Sequence, residues 1–350
     1  MNMISDPFST PSYFENIFRN VLCFFALLAF SVYIFSPYLS FQILETARAD
    51  TSNDSASLPE PENTITPSLE GGDLQIHKSF FEEKGPVKIE GGDLDMSVFS
   101  AVGLLVKDIE SGKVLLGKNE YESHSMASVS KLMSALVILE HGQEWKATST
   151  AVSDQTFDSF LMPGSVYASE DLWEASLVGS SNKAVLSLID GMGLSREVFV
   201  ERMNHKAMEL GMLQTVFRDP TGLDEENVST ASDLVILLDE AMRQDKIRLS
   251  LEKEEFTIKT LDGDYEKHMW NTDWLLLGWI PHSFAKFSGG KTGYIPAAGY
   301  NFVMRVGSEG GQELDVVVLG AATHEKRFTE ARDAAEWVFN NYEWRVPTAG

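Results

Sequence analysis

Ser128 and Lys131 lie three positions apart in the stretch MASVSKLMS, residues 126–134. An apolar helical pattern follows, so both side chains are expected one turn apart on one face, at the N-terminal end of a helix. A serine hydroxyl needs a base to take its proton, and a lysine kept out of water can lose its own proton and act as that base. Ser-x-x-Lys also arises by chance, and a serine there can simply cap a helix. The pair therefore indicates nucleophilic catalysis only if other catalytic motifs accompany it.

Two further short motifs carry residues of the same chemical kind. Ser180 and Asn182 lie in LVGSSNKAV, between two helical patterns, and Lys291, Thr292 and Gly293 lie in FSGGKTGY, within a predicted strand. Each is weak alone, since the first can be a polar connector with an N-cap, and glycine inside a strand indicates only that another backbone approaches closely. About 50 residues separate the Ser-x-x-Lys serine from Ser180, and about 110 separate Ser180 from Lys291. S-x-x-K, S-x-N and K-T-G in this order form a much stronger signal.

Composition excludes several classes of function. The chain has 350 residues, with 52 acidic against 28 basic side chains and a formal net charge of -24, so it repels nucleic acid. Its one cysteine, Cys23, rules out an intramolecular disulfide. The seven histidines show no metal-ligand spacing, so we expect neither a metal nor another cofactor. Three tryptophans, Trp270, Trp274 and Trp279, are interpreted as packing residues because no basic patch accompanies them.

The N-terminal region has the composition of a membrane-targeting segment. After a tail, residues 1–20, predicted to be cytoplasmic, the stretch 21–44 begins with VLCFFALLAFSVYIF and is about as long as a membrane span requires. The alternative is a signal peptide cleaved after Ala49, where Ala47-Arg48-Ala49 has a small-x-small form. We favour an uncleaved single-pass anchor. Either alternative places the rest of the chain outside the cytoplasm, anchored to the cell membrane or secreted.

Residues 45–96 are rich in Asp, Glu, Ser, Pro and Gly, a composition that buries too little apolar surface to offset chain entropy. They are predicted to form a disordered acidic linker before a folded domain at 97–345. The sequence EGGDL occurs in it twice, at 70–74 and 90–94, without a physical reason that we can give.

The folded part shows an α+β pattern. A hairpin is predicted from strands at about 98–108 and 113–118, and three more strands at about 285–292, 299–307 and 313–320. Helices are predicted between and after them, at about 128–141, 170–178, 182–191, 195–210, 230–244 and 325–342. Because short turns link the strands, the sheet should be largely antiparallel.

These motifs and their surroundings resemble D-alanyl-D-alanine carboxypeptidases, the low-molecular-mass penicillin-binding proteins among the serine peptidases. The resemblance covers about 98–342 and includes DLWEASLVGSSNKAV, DPTGLDEENVSTASDL, NTDWLL and GGKTGYIPAAGYNFV. It implies a β-lactamase/DD-transpeptidase-like fold, with a mainly antiparallel five-stranded sheet, helices on both faces and a helical subdomain.

The resemblance also implies roles for residues at matching positions. The catalytic residues would be Ser128 as nucleophile, Lys131 as its base, and Ser180 as the group that passes a proton to the leaving amine. The substrate-binding residues would be Asn182, Lys291, Thr292, Gly293 and Tyr294. Among them, Lys291 and Thr292 would hold the terminal carboxylate of the peptide, and Gly293 would let the substrate lie along the strand. Backbone N–H groups of Ser128 and Tyr294 would form the oxyanion hole.

The implied reaction is removal of the terminal D-alanine from a peptidoglycan stem peptide ending in D-Ala-D-Ala, with β-lactams as covalent inhibitors. A DD-endopeptidase that uses the same residues remains open. A β-lactamase is disfavoured because no clear Glu-x-x-Leu-Asn segment supplies a deacylating base. A catalytically silent protein that binds β-lactams or the cell wall is the other alternative, and the intact motifs argue against it.

Overall fold

The computed structural model describes residues 85–345, except 92, 154, 155 and 157. The predicted tail 1–20, the predicted anchor or signal segment 21–44, and residues 45–84 of the predicted linker lie outside the described residues. Within the described part, no helix combines the length and the hydropathy needed to cross a membrane.

The described residues form strands and helices in the mixed order that the sequence predicts. The strands are β1 Gly85–Lys88, β2 Gly103–Asp108, β3 Val114–Lys118, β4 His124–Ser125, β5 Thr148–Thr150, β6 Val166–Ala168, β7 Val228–Ser229, β8 Glu255–Lys259, β9 Glu266–Trp270, β10 Lys286–Ile295, β11 Gly299–Gly307, β12 Glu313–Ala321 and β13 Tyr342–Arg345. The helices are α1 Lys131–His141, α2 Ser169–Leu177, α3 Asn182–Gly191, α4 Arg196–Glu209, α5 Ala231–Arg243, α6 Asp245–Leu251 and α7 Lys326–Asn341. Two 3-10 helices lie at Met96–Val98 and Ala127–Ser130.

One five-stranded sheet forms the centre, with strand order β10-β11-β12-β2-β3 and every neighbouring pair antiparallel. Side chains of successive strand residues point to opposite faces, and both faces are apolar here. Leu105 and Val317 enter one hydrophobic core, whereas Leu104 and Val316 enter the other. A sheet that is apolar on both faces must be covered twice, so the predicted α+β fold with helices on both faces is confirmed.

The two faces are covered by different parts of the chain. On one face α7 packs through Phe328, Ala331, Ala335 and Val338, which recur at helical spacing and are fully buried. On the other face α5 contacts β2, β11 and β12. The core on that side continues through α1 to α4, the predicted helical subdomain. Strand β10 lies at one edge of the sheet and contacts the 3-10 helix Ala127–Ser130, which brings two of the three motifs together.

The structure differs from the sequence predictions at several places, and the short strands β4, β5, β6, β7 and β13 were among the elements not predicted. Residues 85–88, assigned to the linker, form β1 instead, because β13 at the other end of the domain supplies an antiparallel partner. The helix predicted from residue 128 begins as a 3-10 turn and becomes α-helical at Lys131. Helix α6 and the hairpin of β8 and β9 were not predicted. The segment 245–270 is mostly polar; α6 packs on α2, α5 and β10, and β8 of the hairpin packs on α2.

Candidate active site

Ser128 is held by a strained and tightly packed turn. The preceding residue, Ala127, has a φ of 49°, in the left-handed region that non-glycine residues rarely adopt. The hydroxyl of Ser130 donates to the carbonyl of Ala127 at 2.8 Å, and Asn227 donates to that hydroxyl at 3.0 Å. A Cβ on Gly222 would lie 1.9 Å from the same carbonyl, so only glycine fits beside this turn. The surroundings therefore impose the backbone that presents Ser128.

Lys131 has the environment of a base. Its side chain is only 1% exposed, and its Nζ lies 2.8 Å from the Oγ of Ser128, 2.7 Å from the Oδ1 of Asn182 and 2.7 Å from the carbonyl oxygen of Thr221. Burial lowers the pKa of Lys131 to about 7, although the negative charge of Asp219 opposes the shift. A neutral amine has two N–H groups and one lone pair. Asn182 and Thr221 can accept the two N–H groups, which leaves the lone pair for the hydroxyl of Ser128.

Asp219 organises the turn that supplies one of these acceptors. One carboxylate oxygen accepts from the N–H and hydroxyl of Thr221 and from the N–H of Gly222, and the other accepts from the N–H of Asp224 at 2.7 Å. The Thr221 carbonyl is thereby fixed where Lys131 meets it. No catalytic role was predicted for this turn, although Asp219 followed by Pro-Thr-Gly is a turn signature that could have indicated it.

The Ser180 motif lies at the start of α3. The side chain of Ser181 accepts from the N–H of Ala184 as an N-cap and donates to the carboxylate of Asp158. Asn182 is the first residue of the helix and directs its carboxamide oxygen to Lys131. Ser180, just before the cap, has a φ of 58°, a second strained non-glycine residue at the site.

Lys291 lies behind Ser180. Its ammonium donates to the Oγ of Ser180 at 2.8 Å and to the carbonyl of Thr292 at 3.0 Å, and its side chain is 1% exposed. Burial, together with the positive charges of Lys131 and Arg327, holds the pKa of Lys291 well below its usual value. Within the chain Lys291 is a partner of Ser180, and its predicted contact with a substrate carboxylate stays a prediction.

Gly293 is required by the chain itself. A Cβ at this position in β10 would lie 2.6 Å from the carbonyl oxygen of Met126 and 3.1 Å from the backbone nitrogen of Ser128. The backbone that approaches Gly293 is therefore the segment carrying Ser128, and the predicted approach of a substrate to Gly293 stays a prediction. This contact places the two predicted oxyanion-hole donors, the N–H groups of Ser128 and Tyr294, on adjoining segments.

A cleft of about 490 Å³ opens over these residues. The side of the cleft next to Thr292 includes Thr272, whose Oγ1 lies 2.6 Å from that of Thr292. The complete lining consists of Ser128, Ser180, Thr272, Trp274, Thr292, Gly293, Tyr294, Tyr300, His324 and Arg327.

Arg327 is a cleft residue that the sequence analysis missed. It comes from the first turn of α7, and its Nη1 donates to the carbonyl of Gly293 at 3.4 Å. Burial lowers its pKa to about 10, so it keeps its charge at neutral pH. Its Nε is buried without a hydrogen-bond partner among the described residues. No local sequence signal marks an arginine in the last helix as part of a site formed by earlier segments.

Basic side chains are concentrated at this site in an otherwise acidic chain. Arg327 keeps its charge at neutral pH, whereas burial lowers the pKa of both Lys131 and Lys291, and burial raises the pKa of the Asp273 carboxyl to about 7. An anionic group is therefore attracted to the cleft. Within the described ranges, no cluster of three His, Cys, Asp or Glu side chains could hold a metal ion.

Comparison with known proteins identifies the family. Residues 95–323 match the family model for D-alanyl-D-alanine carboxypeptidase, peptidase S11. The chain is 31% identical over 248 residues to the D-alanyl-D-alanine carboxypeptidase DacF of Bacillus subtilis, a match covering 67% of this chain and 61% of that protein. It is 30% identical over 250 residues to a D-alanyl-D-alanine endopeptidase of Pseudomonas aeruginosa, covering 70% of this chain and 79% of that protein.

A solved structure agrees with these matches. Penicillin-binding protein D2 of Listeria monocytogenes, in its ampicillin-bound form, is similar with a TM-score of 0.60 and 29% identity, over 71% of this chain and 100% of that one. The fold is thus that of the penicillin-binding proteins. The chain belongs to the D-alanyl-D-alanine carboxypeptidase family. It spans about three fifths of the length of the Bacillus relative, 61%.

Proposed function

We propose that the protein is a serine-type D-Ala-D-Ala carboxypeptidase that acts on peptidoglycan stem peptides through an acyl-enzyme on Ser128. One observation carries the proposal: a buried Lys131 amine, with a pKa near 7, lies 2.8 Å from the Oγ of Ser128 and has two other acceptors. That arrangement supplies both the nucleophile and the base that acyl transfer needs.

The first half of the reaction forms an ester. Lys131 takes the proton of the Ser128 hydroxyl while Oγ attacks the carbonyl carbon of the penultimate D-alanine. The oxygen of the tetrahedral intermediate becomes negative and accepts from the N–H groups of Ser128 and Tyr294. When the C–N bond breaks, a proton passes from Lys131 through the hydroxyl of Ser180 to the departing amine, and D-alanine leaves.

The second half returns the free enzyme. Water replaces D-alanine, Lys131 takes one of its protons, and the resulting hydroxide attacks the ester carbonyl. The C–Oγ bond breaks, Oγ regains the proton from Lys131, and the shortened peptide leaves with a new carboxylate. Lys131 and the Oγ of Ser128 therefore act in both halves of the reaction.

The terminal carboxylate of the substrate would bind beside Thr292. The hydroxyl of Thr292 and the guanidinium of Arg327 line the cleft, and a charge-assisted hydrogen bond to a carboxylate contributes about 1.5–3 kcal/mol. Lys291 would act from behind Ser180, orienting the Ser180 hydroxyl through its hydrogen bond. Gly293 and Tyr294 would form the wall along which the peptide backbone lies.

A DD-endopeptidase is the second candidate, because the relative of Pseudomonas aeruginosa carries that name and is similar over 70% of this chain. The same residues would cleave a D-alanyl bond in a cross-link. A silent protein that binds β-lactams or the cell wall has less support, since both lysines lie within hydrogen-bond distance of their serines.

An extracytoplasmic location belongs to the same proposal, because peptidoglycan lies outside the cytoplasm. Residues 21–44 would anchor the chain in the cell membrane, with cleavage after Ala49 as the alternative. Protease added to intact spheroplasts should remove the catalytic domain. Recovery of a soluble extracellular form that starts at Asp50 would instead support cleavage.

Covalent labelling tests the enzyme proposal. A fluorescent penicillin carries a strained amide that Ser128 should open, so the protein should become labelled and peptide mapping should place the adduct on Ser128. Ser128→Ala should not label, whereas a matched change at an exposed serine, Ser97→Ala, should label as the wild type does. Equal labelling of Ser128→Ala and wild type, with circular dichroism showing both folded, would remove Ser128 from the mechanism.

A further inference from the structure

Two adjacent indole rings stand exposed beside the cleft. Trp270 is 50% exposed and Trp279 is 55% exposed, and their ring centroids are 6.3 Å apart at an angle of 59°. Trp274 lies 5.8 Å from Trp279. We call these three residues, Trp270, Trp279 and Trp274, the tryptophan row. The sequence analysis interpreted all three as packing residues, and the exposure of Trp270 and Trp279 contradicts that interpretation.

The row is held in place by backbone structure. Trp270 is the last residue of β9 and pairs with Glu255 of β8. The backbone N–H groups of Trp279 and Ile280 both donate to the carbonyl of Trp274, at 3.0 and 3.2 Å, which closes the turn between the two tryptophans. Large aromatic side chains are usually buried, and a fixed exposed group of them marks a binding surface.

The row continues into the cleft. Trp274 belongs to the same lining as Ser128 and Thr292, and its inner side contacts His324 at 4.2 Å between ring centroids. Thr272, which contacts the hydroxyl of Thr292, lies in the chain between Trp270 and Trp274. A ligand on Trp279 and Trp270 would thus lie next to a substrate in the cleft.

The charges around the row indicate the kind of ligand. Glu255 pairs with Trp270, and residues 253–270 of the hairpin region carry five carboxylates against three lysines in a chain with net charge -24. An anionic lipid surface or an acidic peptide would be repelled there. A neutral ring with one apolar face and hydroxyl groups at its rim would not be repelled by these charges. His268, 5.0 Å from Trp270 between ring centroids and 2.9 Å from the Oε2 of Glu255, offers polar groups to such a rim.

We propose that the tryptophan row binds neutral N-acetylated pyranose rings of the glycan strand that carries the stem peptide. The apolar C–H face of a pyranose stacks on an indole, while its hydroxyl and acetamido groups remain at the polar rim. The row thereby holds the polymer beside Ser128 and raises the local concentration of stem peptides. The identity of the polymer rests on the proposed function, whereas binding of the sugar rings does not.

A short sugar chain without peptide tests the row directly. The probe is the β-1,4-linked tetramer of N-acetylglucosamine, titrated into the full-length protein and followed by calorimetry and tryptophan fluorescence. Saturable binding should weaken at least about tenfold in the Trp270→Ala/Trp279→Ala double variant, because both exposed stacking faces are lost. Tyr121→Ala removes another exposed aromatic ring, in the turn after the opposite edge strand β3, and should bind as the wild type does.

Labelling with penicillin separates the possible failures. A double alanine variant that penicillin still acylates is folded at the cleft. If penicillin does not acylate it, Trp270→Phe/Trp279→Phe takes its place. This variant keeps aromatic faces and should bind the tetramer better than the alanine pair. If the tetramer fails to bind the wild type while penicillin labels it, the row proposal is overturned and the enzyme proposal stands. If the tetramer binds the wild type while penicillin does not label it, the enzyme proposal is overturned and the row proposal stands. Unchanged binding in the double variant, or a wild-type dimer that this variant dissociates, would also overturn the row proposal.

Discussion

The pKa of Lys131 predicts how acylation of Ser128 depends on pH. Burial lowers that pKa from 10.5 to about 7, and only the neutral amine can take the proton of the hydroxyl. The neutral fraction is then about 0.1 at pH 6 and about 0.9 at pH 8. The acylation rate should therefore rise about tenfold between about pH 6 and pH 8 and reach a plateau above that.

The direction of the pKa shift of Lys131 depends on the balance between burial and the charges of its neighbours. Asp219 and Asp158 favour its charged form, yet desolvation exceeds both because the side chain is fully enclosed. An ordinary lysine with a pKa near 10.5 would be less than about 1% neutral at pH 8, and its rate would still be rising about tenfold per pH unit there. The two cases differ most between about pH 8 and pH 9.5.

Stopped-flow measurement of acylation by a fluorescent penicillin across this range distinguishes the two cases. Asp273 also has a pKa raised to about 7, so Asp273→Asn is the matched control. The pH profile of Asp273→Asn should keep a midpoint near 7 if the pKa of Lys131 sets that midpoint. A wild-type rate that climbs without a plateau to about pH 9.5, or that does not change with pH, would refute the assignment of Lys131 as a base of lowered pKa.

Three substitutions test other parts of the site. Gly293→Ala places a methyl group 2.6 Å from the carbonyl of Met126, so acylation should fall at least about tenfold in the same penicillin assay, and normal acylation would contradict the close contact. Lys291→Ala removes the buried side chain that donates to the Oγ of Ser180 and should lower acylation about tenfold or more, while a rate within about twofold of wild type would show that Lys291 has no role in acylation. Asp219→Asn removes a negative charge that raises the pKa of Lys131, so the midpoint of the pH profile should move to lower pH; a move to higher pH would reverse the inferred electrostatics.

Local patterns were sufficient to predict the main elements and the first contacts of the site. Alternating or continuous apolar residues marked the five sheet strands, and helical spacing marked α7, since their buried side chains repeat with the period of the element. Ser128 and Lys131 could be paired because residues three apart on a helical turn face the same side.

Contacts between distant segments were beyond the reach of such patterns. The Thr221 carbonyl reaches Lys131 from 90 residues away, and Arg327 reaches Gly293 from 34 residues away, so no local window contains either pair. Strand β1 has only four residues, Gly-Pro-Val-Lys, and becomes a strand only because β13 lies beside it. The exposure of Trp270 follows from the end of β9, which the sequence did not predict.

Incubation of the full-length protein with defined muropeptides, followed by mass analysis of the products, tests the central claim most directly. A monomer with a pentapeptide stem that ends in D-Ala-D-Ala should lose one alanine and yield free D-alanine, and Ser128→Ala should leave it intact. A cross-linked dimer tests the endopeptidase candidate in the same experiment. Cleavage of the dimer alone would contradict the carboxypeptidase proposal, and no cleavage of either substrate by a protein that labels with penicillin would contradict the claim that Ser128 and Lys131 form a peptidase.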